Sequence, residues 1–152
     1  GRALVPRPPR RTAAVSHPRP RRAPTVQVCL ALVAEPGGLA SGWSVNAGNA
    51  NAGTGAKGRA YSEEMCDAAA TAGGCASEGM LVCSTGLIGY RLPMRKILGG
   101  IPTLAAPRSV TGHRDAAEGI LTTDTRPKGE HMGRHDCAVG GLDGRFSRRD
   151  AD

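Results

Sequence analysis

Residues 26–34 read V-Q-V-C-L-A-L-V-A, an apolar run of strand length interrupted only by Gln27, and the pattern predicts a buried strand there. The segment E-P-G-G-L-A-S-G (35–42) punctuates it with one proline and three glycines, and a short strand follows over 43–46. A helix is predicted from Ser62, with Ser62 as N-cap and Glu63 and Glu64 at its positive end. M-C-D-A-A-A-T-A continues it and Gly73-Gly74 ends it. Residues 80–83 form a second apolar strand. Met94, Ile97, Leu98 and Ile101 recur at helical spacing up to Pro102, which is read as the stop. A third helix fits residues 113–121, with Ala116, Ala117, Ile120 and Leu121 on one face, and runs directly into T-T-D-T. Residues 135–141 make a weak strand. Strands alternate with helices and no repeat is present, so the class is α/β, or α+β in layers.

Composition complicates this picture. Leu, Val, Ile and Phe together number 25 of 152 residues, below the ~20% level at which a charged chain starts to lack the apolar area for folding alone. Only Trp43, Tyr61, Tyr90 and Phe146 are aromatic. The expectation is a partly disordered chain or part of a larger one, and a first residue of Gly1 rather than Met favours a fragment. The net charge of +7 is uneven: the first acid is Glu35, and residues 1–24 carry seven arginines and six prolines. Residues 1–25 are therefore read as a basic Pro/Arg-rich leader without regular structure. The competing reading is a nucleic-acid-binding protein that grips phosphates through residues 1–24, although no aromatic platform or known module accompanies the arm.

Arg21-Arg22 ahead of the apolar run has the outline of a twin-arginine signal. Nine residues are too few to span a bilayer, and no convincing A-x-A cleavage site follows. No membrane partner is expected, and the default compartment is the cytoplasm. Five cysteines, Cys29, Cys66, Cys75, Cys83 and Cys137, include no C-x-x-C pair and imply no disulfide framework. His131, His135 and Cys137 form H-x3-H-x-C, but they lack the fourth ligand or defined opening of a zinc site, so no metal is assigned.

Gly53-Thr54-Gly55-Ala56-Lys57-Gly58 fits the G-x-G-x-x-G pattern of a dinucleotide loop, and Glu78 lies near the distance of a ribose-binding acid. Two features oppose that reading. The predicted helix begins after Gly58, and Glu78 does not end a recognisable strand. Asn46, Asn49 and Asn51 instead suggest positive-φ turns and side-chain hydrogen bonding.

Four stretches, V-N-A-G-N-A-N-A-G-T-G (45–55), V-C-S-T-G-L-I-G-Y-R-L-P-M-R-K-I-L-G-G-I (82–101), I-L-T-T-D-T-R-P-K (120–128) and H-D-C-A-V-G-G (135–141), resemble in order and spacing the bifunctional ornithine acetyltransferase / N-acetylglutamate synthase family of arginine biosynthesis. The resemblance covers about residues 26–141. It implies an autoprocessing, threonine-nucleophile enzyme that moves an acetyl group from N-acetylornithine to glutamate through an acetyl-threonine. Acetyl-CoA is an alternative co-substrate and no cofactor is implied. A hydroxyl needs an adjacent base to become a good nucleophile, and its tetrahedral oxyanion needs preorganised donors. By resemblance those donors are Thr85, through its hydroxyl, and Gly86, through its N–H. Thr122 matches a substrate-binding position, with Thr123 beside it. The specific run around Thr85 and Gly86 distinguishes this family from threonine-nucleophile aminopeptidases of similar architecture.

The match fades at both ends. The family's substrate-binding lysine falls at Gly144, and its nucleophile has no counterpart in the divergent tail, 142–152. Ala70-Thr71 is an Ala-Thr pair, but it lies in a predicted helix. The resemblance thus implies a partial α chain, an incomplete domain inactive by itself. Its partner would be the β chain of the same precursor in an α/β hetero-oligomer.

Overall fold

The computed structural model describes residues 2–12, 14, 20–35, 37–105, 112–123 and 125–127. Among these residues three strands form one mixed sheet in the order β1-β2-β3: β1 (Arg2–Arg11), β2 (Leu39–Asn49) and β3 (Met80–Leu87). β1 runs antiparallel to β2 and β3 parallel to it. The helices are α1 (Pro24–Ala34), α2 (Gly55–Gly73), α3 (Met94–Ala105) and α4 (His113–Gly119), and a single 3-10 turn, Ser77–Gly79, leads into β3. The α/β class expected from the sequence is the one observed.

Several local expectations are corrected. The first part of the basic leader is strand β1, not irregular chain. Pro6, Pro8 and Pro9 cannot donate to a ladder, so this segment can serve only as an edge strand, and its register shifts between Pro6 and Arg10. The apolar run at 26–34 is helix α1 rather than a strand. Pro24 at the first helical turn presets φ, and an apolar run of this length fits a buried helix as well as a strand. α2 starts at Gly55, so Ser62 is not its cap. It lies fully buried in the helix interior, its hydroxyl donating to Gly58 O at 3.1 Å. α2 ends as expected, with Gly74 at φ 72°. α3 continues through Pro102 to Ala105, although the proline has no N–H to give to the carbonyl of Leu98 one turn back.

Residues that pair across a ladder share a face, and neighbours along a strand alternate. The row Leu4–Ser44–Val82 therefore faces the helices. There Met80 and Val82 join Met65, Cys66, Ala69 and Ala70 of α2, Leu92, and Ile97 and Ile101 of α3 in the core. The opposite row, Val5–Trp43–Leu81 with Val45, Cys83 and Thr85, is less covered: Trp43 is 41% exposed and Leu87 65%.

Helix α1 closes the outer edge of β3. The Cys29 thiol donates to Val82 O at 3.2 Å and accepts from Val82 N–H at 3.3 Å. An amide has one proton, so Val82 N–H is turned away from β2. The thiol takes the place of a neighbouring strand at an edge that would otherwise be open. Cys66, also buried, donates to Met80 O at 3.2 Å. Burial holds its pKa up, from 9.0 to about 12, with the nearby Cys29, Asp67 and Glu63 adding to the effect. Burial likewise raises Cys29 and Cys83.

Two outcomes follow from this core. Met65→Ala should cost about 2–4 kcal/mol in urea unfolding, because a fully buried side chain leaves a cavity. Folded Cys66 keeps its proton above pH 9, where the unfolded thiol loses its own. Stability should therefore be intact below pH 9 and fall as pH rises toward about 12, and Cys66→Ala should flatten that decline.

Candidate active site

The two predicted oxyanion residues lie at the C-terminal end of β3, where Thr85 pairs with Ala47 and Gly86 with Gly48. Gly86 has φ 125°, a region L side chains rarely adopt, and a Cβ there would overlap the carbonyl of Gly48. Gly48 itself sits at φ 138°. The two strands come together here glycine to glycine. The ladder continues to Leu87, whose carbonyl accepts from Ala50 N–H at 2.9 Å. Thr85 is exposed, on the face of the sheet away from the helices.

Beneath this end of the sheet, polar side chains fix the loop that leaves β2. Buried Asn46 donates to Ser84 Oγ at 3.0 Å, and Ser84 donates to Asn49 O at 2.7 Å. Asn51, 1% exposed, donates to Gly58 O at 2.7 Å and Ser62 Oγ at 2.9 Å and accepts from the Thr54 hydroxyl. Such a satisfied buried network fixes one loop conformation. The expected positive-φ turns fall on Gly53 (69°) and Gly55 (61°), not on the asparagines.

The glycine run has a different geometry from the one expected. Since α2 starts at Gly55, the loop does meet the helix N-terminus, so the first objection to a dinucleotide reading falls. The second stands: Glu78 precedes β3, in the 3-10 turn, rather than ending a strand. Gly58 is needed for packing, since a Cβ there would overlap Thr54 Oγ1 and Asn51 Oδ1.

Thr122 and Thr123 are exposed and follow α4. The end of α4 is anchored at β1, with Gly119 against Arg2 O. Arg2 pairs with Asn46, which pairs with Ser84. The end of α4 thus lies two strand spacings, about 10 Å, from the row preceding Thr85. Among the described residues no hydrogen bond joins either threonine to Thr85 or Gly86. Ala70-Thr71 is inside α2, with Ala70 buried, as its sequence context suggested. His131, His135, Cys137, the strand expected over 135–141, Gly144 and the tail all lie outside the described residues. The sequence reading missed the roles of Ser62, Ser84 and Cys29. Small polar residues next to glycine-rich turns were the available signal for the first two.

The sequence profile of the ArgJ family matches residues 3–143. The chain belongs to the ArgJ family. The match includes most of the segment first read as a leader. The chain is 44% identical over 103 residues to the arginine biosynthesis bifunctional protein ArgJ of Parasynechococcus marenigrum, covering 68% of this chain and 25% of that protein. It is 52% identical over 83 residues to the ArgJ protein of Symbiobacterium thermophilum, covering 55% of this chain and 21% of that one. Among solved structures, it is similar to the ornithine acetyltransferase of Mycobacterium tuberculosis complexed with ornithine, with TM-score 0.74 and 32% identity over 81% of this chain and 67% of that chain. The ArgJ structure from Bacillus halodurans gives TM-score 0.71 and 29% identity, covering 83% of this chain and 74% of that one. The chain thus spans about a quarter of the length of the curated relatives it matches.

Gly86→Ala and Gly89→Ala separate packing from backbone freedom. Both glycines have positive φ, but a Cβ at Gly89 meets nothing within 4 Å. Gly89→Ala should cost about 1 kcal/mol, and Gly86→Ala at least about 2–3 kcal/mol, in denaturant unfolding.

Proposed function

We propose that this ArgJ-family chain supplies the oxyanion side of an acetyltransferase that moves an acetyl group from N-acetylornithine to glutamate. In this reading a threonine hydroxyl from the β chain attacks the acetyl carbonyl while an amine takes its proton. The tetrahedral oxyanion is met by the Thr85 hydroxyl and the Gly86 N–H. Collapse expels ornithine and leaves acetyl-threonine, which the amine of glutamate then attacks. In the other activity acetyl-CoA is the donor. Thr122 and Thr123 contact substrate. The observation that supports the proposal is the ArgJ-family match over residues 3–143, which takes in Thr85 and Gly86 at the C-terminal end of β3, where Thr85 is exposed.

The partner expected in this reading is a β chain, making an α/β hetero-oligomer. Support comes from the face that carries Thr85, where Trp43, Leu87 and Cys83 are exposed beside half-buried Val45 and Leu81. An apolar sheet face with this exposure favours a second layer over it. The chain by itself is then inactive. No helix among the described residues is long and apolar enough to cross a membrane, and cytoplasmic location is part of the proposal. The nucleic-acid reading loses ground, because the first half of its arm is built into the sheet as β1.

A graft tests this reading. The corresponding segment of the Symbiobacterium thermophilum ArgJ protein is replaced by this chain's residues, and acetyl transfer from N-acetylornithine to glutamate is measured. The graft should be active and the isolated chain inactive. Thr85→Ala in the graft should lower kcat about 10²- to 10³-fold with little change in KM. Full kcat in that variant would remove the oxyanion role.

A further inference from the structure

Arg2 stands apart from the other basic side chains. Among those whose exposure is described it is half-buried, while Arg10, Arg11, Arg21, Arg22, Lys57, Arg59, Arg91, Arg95, Lys96, Arg114 and Arg126 are all exposed. Its guanidinium lies against α3 at Gly100, so closely that a Cβ on Gly100 would overlap it. Among the described residues it has no carboxylate partner and no hydrogen bond. No unpartnered guanidinium nitrogen is buried, so the charge stays in contact with solvent and is open to an anion from solution.

The space beside it is a cavity of about 420 Å³, walled by the ends of β1 and β2 and by α3, with Arg2, Asn46, Asn49, Gly100 and Thr103 among its lining residues. Among the described residues no acidic one lines it. The donors there can be sorted. The Asn46 amide is committed to Ser84 Oγ, and the Thr103 hydroxyl donates to Gly100 O at 2.7 Å, so its oxygen is left as an acceptor. Asn49 brings its backbone carbonyl, which already accepts from Asn46 and Ser84, while strand alternation puts its side chain on the face of Leu87 and Thr85. The wall therefore offers a guanidinium fork and a hydroxyl acceptor.

We propose that this cavity is a second site, binding the carboxylate of an amino-acid-sized molecule through Arg2. A guanidinium matches a carboxylate with two parallel N–H···O bonds, a fit that a point charge lacks. The Thr103 oxygen suits an ammonium on the same ligand. The site is distinct from the oxyanion residues: Arg2 shares the row of Asn46 and Ser84 on the helix-covered face, and Thr85 is on the other. It does not depend on the acetyl-transfer reading.

The test is calorimetric titration of the 152-residue chain with sodium glutamate and sodium acetate, against sodium chloride and sodium phosphate at matched ionic strength. Glutamate and acetate should bind with one site per chain, and chloride should give no saturable heat. Arg2→Gln should weaken glutamate binding about tenfold or more, and Arg2→Lys nearly as much, because the fork is lost with the charge kept. Gly100→Val should weaken it similarly by displacing the guanidinium, with net charge unchanged, whereas Thr85→Ala should leave it unaltered. Thermal midpoints within a few degrees of the parent confirm that each variant is folded. Equal affinity in the parent and both Arg2 variants would overturn the proposal. So would a phosphate preference over glutamate, or a loss with Thr85→Ala as large as with Arg2→Gln.

Discussion

Eight residues of β2, Gly42–Asn49, lie in parallel register with eight of β3, Met80–Leu87, and this pairing positions nearly everything else. It places Met80 and Val82 under α2 and α3, where they complete the core, and leaves Trp43 and Thr85 on the other face. It also brings Gly48 to Gly86 at the end where the chain departs toward the helices. A parallel pair requires a crossover, and α2 with the turn behind it supplies one. Were the register to slip by one residue, Thr85 would exchange faces with Ser84, and the glycines would no longer meet.

The two edges of this sheet are closed by different devices. At β1 the prolines remove donors from the outward ladder, which blunts it against further pairing. At β3 one cysteine thiol both donates to and accepts from Val82. Cys29 and Cys66 are therefore structural hydrogen-bonding groups. Burial keeps them protonated and poorly nucleophilic, which suits that use.

Polar side chains do much of the positioning at the β2–α2 turn. Asn46, Asn51, Ser62 and Ser84 are joined in small networks, and no buried side-chain polar atom among the described residues lacks a partner. In a chain with few large apolar residues, such satisfied networks give specificity that core packing alone would not. The glycines carry the positive φ values, and the asparagines anchor the loop between them.

The sequence by itself determined the family, through four ordered motifs, and the α/β class, through alternating strand and helix periods. It also located the buried stripe of α3 at Ile97 and Ile101 and the glycine end of α2, because those signals are local. Tertiary structure decided the rest. Whether residues 26–34 coil or extend depended on the β3 edge they cover, since an apolar run satisfies both periods. Whether Arg2–Arg11 is ordered depended on β2 offering it a ladder. Ser62 looked like a cap because a buried hydroxyl and an N-cap hydroxyl read alike until Asn51 is seen to bond it. Only the three-dimensional register put Arg2 and Thr85 at the same end of one sheet and on opposite faces of it, because both placements come from pairings between residues far apart in the chain.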